Sequence, residues 1–482
     1  MSPESRESLD GWEIVIGLEV HCELATKTKL FCGCANMFGD EPNTNVCPVC
    51  LGLPGSLPVL NEKAVELALR LGQALHCTAK PGVFARKNYF YPDMPKDYQV
   101  SQYDMPTNVD GFLDLPSGTR VGIERAHIEE DTGKNKHVGG DGRIHGAEYS
   151  LIDYNRAGVP LVEIVSRPDL RGSEQAREYV SELRDILLAT EVSDARMEEG
   201  SMRVDANVSM RRDGDTEFGT RCEIKNLNSL RSLGRAIEYE ARRQVDLIEL
   251  GERVRQETRH WDEGAGRTRA GRSKEEAEDY RYFPEPDLVP LVPEDDFVAA
   301  ISASMPRLPS DRRERLASVA NIAPGDLRVV IAVARGLDDL ALAAVDAGGD
   351  ASRVLNHVEH NLAVDGASSI DPAALATLTR MEVDGALTAT QAKTVLAELV
   401  NGATDPVAVA ASKGFEAMDE SALEAVVDGV IAANPDTWAK FAGGEGKAGG
   451  FLTGQVMKVT GGQADGKAVN AILQRRKGSS AR

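Results

Sequence analysis

Four cysteines constrain this chain more tightly than any other feature. Cys32, Cys34, Cys47 and Cys50 form a CxC pair and a CxxC pair separated by twelve residues. Each pair is short enough for both sulfurs to reach one ion, and four thiolates in two pairs suit tetrahedral zinc. The alternative is a pair of redox dithiols. With four protein ligands there is no open position for a substrate, so the zinc is expected to be structural. Pro48 fits a rigid turn between the last two cysteines. The loop is preceded by IVIGLEVHCEL, which alternates with period 2. Ile14, Ile16, Leu18 and Val20 fall on one face and Glu19, His21 and Glu23 on the other, as a strand requires. A carboxylate and an imidazole two residues apart can grip a divalent ion or orient a phosphate. A plain solvated face is the competing reading.

The chain has 482 residues, too many for one core, and two to four domains are expected. Its first residues, MSPESRESLDGW, carry no apolar signal-peptide core, and no apolar run is long enough to span a bilayer. With cysteines in a zinc pattern, this predicts a reducing, cytoplasmic setting and no membrane partner. The net charge of −21 argues against tight, indiscriminate binding to nucleic acid. The charge is segregated, however. Residues 440–482 hold eight Lys and Arg against Glu445 and Asp465, a local +6 that leaves −27 on the rest. That fits contact with RNA at one end, or an ordinary basic tail.

Along the chain, Asn61 is placed to cap a helix reaching Leu75. The stretch KPGVFARKNYFYPDMPKDYQVSQYD holds six aromatics and three prolines, too irregular for one strand or helix. It is expected to be a loop wedged in place by its rings; a nucleobase-stacking platform is the alternative. Residues 119–165 read as strands around a Gly- and His-rich turn at 138–146. Glu163 stands inside Leu-Val-Glu-Ile-Val, where a carboxylate needs a partner, a hydrogen-bond network or a metal. Ser173 is expected to cap the next helix. Residues 202–225 alternate as a hairpin around Asp213-Gly214. One face is core, and the other presents Asp205, Asn207, Glu223 and Lys225. Four prolines between 284 and 293 mark a domain boundary. Residues 296–402 are Ala- and Leu-rich with helical spacing, and short helical segments follow to the end.

With those residues in hand, the chain resembles the B-subunit family (GatB) of the glutamine-dependent aminoacyl-tRNA amidotransferases. The resemblance covers nearly the whole length. Its blocks are VIGLEVHCEL, RKNYFYPDMPKDYQVSQYD, AHIEEDTGK, LIDYNRAGVPLVEIVSRPD, MEEGSMRVDANVSMR, EIKNLNSLR, QETRHWDEG, DYRYFPEPDLVPL and GFLTGQVMK. The resemblance implies an α+β fold. A mixed-sheet cradle domain with a zinc knuckle at 32–50 would span 1–293, an all-helical domain 294–404 and a small helical, tRNA-contacting tail 405–482. It implies a heterotrimer with the amidase (the A component) and a small C component. The B component would use ATP and Mg²⁺ to phosphorylate the side-chain carboxylate of misacylated Asp-tRNA(Asn) or Glu-tRNA(Gln). Ammonia, released from glutamine by the amidase and channelled inward, would then displace the phosphate.

By position, Glu19, His21, Glu130 and Glu223 match the family's metal and phosphorylation site, and Lys87 and Glu130 the mouth of its ammonia channel. Strand facing adds Asp153, Glu163, Asp205 and Asn207. Lys87, Lys225 and Arg156 are left for phosphate or carboxylate. The chain has no serine-rich amidase signature and no Gly-rich Walker loop, so glutamine hydrolysis is expected from the partner and any ATP site is of another kind. Two rivals are the related archaeal GatE family and a non-catalytic zinc protein that binds tRNA as an accessory. The acidic strand faces weigh against the accessory, which would need a basic groove instead.

Overall fold

The structure is a computed structural model and describes residues 9–139, 146–271, 280–415, 420–460, 464 and 466–480. Most of the expected Gly- and His-rich turn at 138–146 lies outside those residues. The chain divides into two compact units, residues 1–309 and 310–482.

The first unit is built on a nine-stranded mixed sheet. Its strands are β1 (Trp12–Glu23), β2 (Thr78–Ala79), β5 (Asn108–Asp114), β6 (Arg120–Glu130), β9 (Pro160–Ser166), β10 (Met202–Arg212), β11 (Cys222–Leu227), β12 (Thr258–Asp262) and β13 (Arg267–Ala270). Their spatial order is β13-β12-β11-β10-β1-β9-β6-β5-β2. A three-stranded sheet joins β14 (Phe283–Pro284), β3 (Ala85–Asn88) and β4 (Tyr98–Ser101), and β7 (Lys134–Val138) pairs with β8 (Tyr149–Asp153). The aromatic stretch thus supplies β3 and β4. Phe84 is buried edge-on against Phe31, whereas Phe90 is exposed.

Strand β1 lies at the centre, antiparallel to both neighbours. Glu19 faces Asp205 on β10, and His21 faces Glu163 on β9. Ile14, Ile16, Leu18, Val20 and Cys22 all enter one core, with Val162, Ile164, Val204, Ala206, Val208 and Ile224 from neighbouring strands. Helices α1 (Glu62–Ala74), α2 (Ser173–Ala189) and α3 (Leu230–Glu249) bury their apolar stripes in that same core. Because successive strand residues alternate sides, the opposite face is left for the polar set.

Strand β6 reaches that arrangement through a bulge. Val121 and Ile123 point into the core before it, and Ala126 and Ile128 after it. The register against β9 shifts between Ile123 and Arg125, so that one extra residue sits on β6.

The local signals hold with adjustments. Asn61 caps α1, its Oδ1 accepting from the Lys63 amide at 3.0 Å. Ser173 does not cap α2: Gly172 is the cap residue, and the Ser173 hydroxyl instead donates to Glu238 of α3 at 2.7 Å. Helix α4 (Asp295–Ala303) buries Ile301 in the first core, which carries this unit past the proline run.

The second unit is helical and holds two cores. One runs from Leu316 to Ala410 and the other from Leu423 to Leu473. In the second, the helix Gly446–Val459 buries Leu452 and Val456. Phe451 and Val459 are 48% and 66% exposed. With 3.6 residues per turn, Phe451 falls about 100° from Leu452, whereas Val459 shares the stripe of 452 and 456 but is the last residue of the helix. Arg475 and Arg476 are not an open basic surface either, being paired with Glu424, and Arg476 also with Asp428. No helix among the described residues is long and apolar enough to cross a membrane.

Candidate active site: two carboxylate clusters on one sheet face

The polar face of the central strands gathers two groups of potential metal ligands. His21, Glu129 and Glu163 bring one ligand atom each within 4.8 Å of one another, and so do Glu19, Asp205 and Glu223. Either group could hold a metal ion.

The first cluster is a rung across three strands. His21 on β1, Glu163 on β9 and His127 on β6 are direct cross-strand partners. His21 Nε2 lies 3.6 Å and His127 Nε2 3.5 Å from the same Glu163 oxygen, Oε2. Glu129 joins from two residues along β6. Its carboxylate accepts from Ser101 Oγ at 2.5 Å and from Gln99 Nε2 at 3.3 Å. Burial opposes charge on His21, but Glu163 outweighs it and raises the imidazole to about 9. Burial likewise works against the Glu163 carboxylate, yet His127, His21 and Lys87 hold it well below the usual range. Glu129 is lowered too, by Lys87 and His127 against its burial. Lys87 sits at the edge, its Nζ 4.9 Å from the Tyr280 ring centroid. Burial lowers its affinity for a proton and Glu129, Tyr282 and Glu163 raise it, the carboxylates prevailing.

The second cluster lies on β1, β10 and β11. Asn207 Nδ2 donates to Glu19 at 2.9 Å, and Thr258 Oγ1 donates to Glu223 at 2.8 Å. Lys225 is already inside it, 2.7 Å from Asp205 and 3.2 Å from Glu223. Against its burial, those two carboxylates raise the Lys225 ammonium above its ordinary value. Among the described residues, Asn207 Oδ1 is buried without a hydrogen-bond partner, an acceptor that fits an oxygen-seeking cation.

Six expected residues therefore gather here: Glu19, His21, Glu163, Asp205, Glu223 and Lys225. Asn207 buttresses them and Lys87 flanks them. Glu130 does not join. It alternates away from Glu129, forms an ion pair with Lys96 and accepts from the Val100 amide at 2.9 Å. Lys87 and Glu130, both matched to the channel mouth, face different partners. Asp153 also stands apart, at the end of β8, with Oδ1 accepting from the amides of Asn43 (3.1 Å) and Asn155 (2.9 Å). The Arg156 guanidinium is tied to the carbonyls of Thr132 and Gly133 at 2.9 and 3.0 Å. Asp153, Arg156 and Glu23 line a separate cavity of about 470 Å³. Sequence reasoning missed Glu129 and His127. Alternation counted back from Ile128, an obvious core residue, would have put both on the polar face.

Cys32, Cys34, Cys47 and Cys50 come together with their sulfurs within 4.8 Å of one another, and all are free thiols. Cys47 and Cys50 sulfurs are 3.9 Å apart. Cys50 is pushed down to about 5, chiefly by the Cys32 thiol donating to it, with the Cys47 amide and Lys29 helping against burial. The site could hold a metal ion, and sulfur donors at these separations fit one tetrahedral centre.

Residues 14–299 match the family model of the GatB/GatE catalytic domain, and residues 337–476 that of the GatB domain. The chain is 50% identical over 490 residues to the aspartyl/glutamyl-tRNA(Asn/Gln) amidotransferase B subunit of Thermobifida fusca, covering 97% of this chain and 95% of that one. It is 51% identical over 482 residues to the protein of that name from Mycobacterium sp. (strain KMS), covering 96% and 95%. With that of Salinispora arenicola it shares 49% over 498 residues, 99% of each. The family model reaches across both carboxylate clusters and the cysteine site, and the likeness runs the length of the chain, which belongs to the GatB family of aspartyl/glutamyl-tRNA amidotransferase B subunits, components of a ligase-type enzyme complex.

Proposed function

We propose that this protein activates the side-chain carboxylate of misacylated Asp-tRNA(Asn), Glu-tRNA(Gln) or both by ATP- and Mg²⁺-dependent phosphorylation. It then amidates the acyl phosphate with ammonia that the amidase component releases from glutamine, the small C component completing the trimer. The convergence of two carboxylate clusters on one sheet face carries this reading. A carboxylate is a poor acceptor for ammonia until it bears a leaving group, and phosphoryl transfer asks for positioning and charge compensation more than for a protein nucleophile.

The oxygen-rich donor sets suit Mg²⁺. His21, Glu129 and Glu163 would hold one ion, and Glu19, Asp205 and Glu223 a second. Bound there, Mg²⁺ would offset the charge on the transferring phosphoryl group. Lys225 and Lys87, each cationic and beside a cluster, orient phosphate or the substrate carboxylate. Glu130, held by Lys96, sits on the far side of the same strand end and fits a polar lining of the ammonia path better than a metal site. The four cysteines hold a structural zinc. The helical tail contacts tRNA, in a cytoplasmic enzyme.

The test is the assembled trimer supplied with glutamine, ATP and each misacylated tRNA in turn. ATP consumption that requires misacylated tRNA, with amidated aminoacyl-tRNA as product, is expected. A trimer that binds the tRNA yet never consumes ATP would return this protein to the role of an accessory.

A further inference from the structure

We propose that His127 is a positioning residue of the first cluster: its Nε2–H bridges Glu129 and Glu163 and holds the two carboxylates convergent for a divalent cation. This rests on the reading of that cluster as a cation site.

His127 is 4% exposed. Its Nε2 lies 3.4 Å from Glu129 Oε1 and 3.5 Å from Glu163 Oε2. Two carboxylates side by side separate unless a donor sits between them. Ser101 and Gln99 anchor Glu129 from β4, but neither touches Glu163 among the hydrogen bonds of the described residues. His127 is the group seen to contact both. It is not itself one of the convergent ligands, which are His21, Glu129 and Glu163.

The other ring nitrogen points to the same role. Among the described residues, His127 Nδ1 is buried with no hydrogen-bond partner. A histidine kept as a structural cross-link uses both nitrogens, as His357 does in the helical unit, with Nε2 2.7 Å from Glu382 and Nδ1 3.1 Å from Asn361. An orphaned buried nitrogen is costly and calls for a reason. Here the ring's polar work is done entirely at Nε2, on the two carboxylates. Partners of metal ligands commonly change metal affinity 10- to 100-fold when removed.

The experiment titrates the assembled trimer with Mn²⁺, followed by electron paramagnetic resonance, with thermal unfolding recorded in parallel. Glu163→Gln must first remove a Mn²⁺ site seen in the wild type; if it does not, the cation reading itself fails and the proposal with it. Given that site, His127→Leu is expected to weaken it at least about tenfold. His127→Gln, which places an amide N–H near the Nε2 position, is expected to stay within about threefold of wild type. His127→Asn, whose amide falls short, is expected to behave as Leu does. If the Leu variant does not fold, the contrast between Gln and Asn decides. Wild-type Mn²⁺ affinity in the Leu or Asn variant, or a Gln variant that folds and loses as much as Asn, would overturn the proposal.

Discussion

The two carboxylate clusters sit on one sheet face, share strand β1 and each offer three ligand atoms within 4.8 Å. They differ in what already compensates their charge. The first has imidazoles facing its central carboxylate, and Lys87 stands off at its edge. The second has an ammonium in contact: Lys225 touches two of its three acids. A cation entering the first displaces the proton that Glu163 holds on His21, whereas one entering the second competes with a lysine for two of its three acids. Equal donor counts therefore make unequal sites. On the proposed function, the first would be the resident Mg²⁺ position, and the second the one completed when nucleotide arrives and Lys225 pairs with phosphate.

The comparison can be broken most sharply at Glu163. Glu163→Gln is expected to lower amidation of misacylated tRNA by about a thousandfold or more, the loss of several kcal/mol of charge stabilisation. Glutamine hydrolysis by the amidase partner should be untouched. Glu223→Gln and Glu19→Gln should follow it. Any of these retaining wild-type tRNA-dependent ATP hydrolysis would remove that residue from the site. A cysteine change provides the contrast with a third set of ligands, soft rather than hard. Cys47→Ser, or chelation of the metal, should lower Tm by at least about 5 °C, because metal binding and folding are linked. Turnover of the molecules that remain folded should change little. Equal loss of activity at unchanged Tm would mean that the cysteine site is not structural.

Lys225→Met tests the difference directly. Removing an ammonium 2.7 Å from Asp205 should tighten Mn²⁺ at the second cluster about tenfold at low salt, an effect moderated by solvent. Weaker Mn²⁺ binding in this variant would erase the distinction between the clusters. The smallest effect is expected from the tail. Deleting 420–482, which spares the core ending at Ala410, should raise KM for tRNA about tenfold, less as salt rises. Affinity unchanged at two salt concentrations would leave the tail without an RNA role.

Much of this site was legible because strands alternate. β1 declared Glu19 and His21, and the 202–225 hairpin declared Asp205, Asn207, Glu223 and Lys225 through the apolar residues between them. Glu163 stood out as a charge in an apolar run. Which strands would be neighbours was not legible, since pairing β1 with both β9 and β10 joins segments far apart in sequence. Side chains that act in local turns also escaped. Asp153 looks like a strand carboxylate but serves two backbone amides, and Ser173 looks like a cap but ties α2 to α3. In the tail, charge counting took Arg475 and Arg476 for a free surface because it cannot see Glu424 and Asp428 folding back on them.

The bulge in β6 carries one further consequence, for how this chain tolerates changes of length. Continued without a break from Ile123, the strand's alternation would turn His127 and Glu129 into the apolar core and Ile128 outward. The extra residue near Glu124, itself exposed and paired only with its neighbour Arg125 among the ion pairs of the described residues, sets the phase of everything after it. Replacing Glu124 by another residue leaves that phase alone, and so does deleting it, because Arg125 alone between Ile123 and Ala126 restores plain alternation; deleting His127, beyond the bulge, instead turns Ile128 outward and Glu129 inward. A scan of substitutions would therefore record position 124 as indifferent. A scan of single-residue deletions would find it more tolerant than positions 126–129 just beyond it.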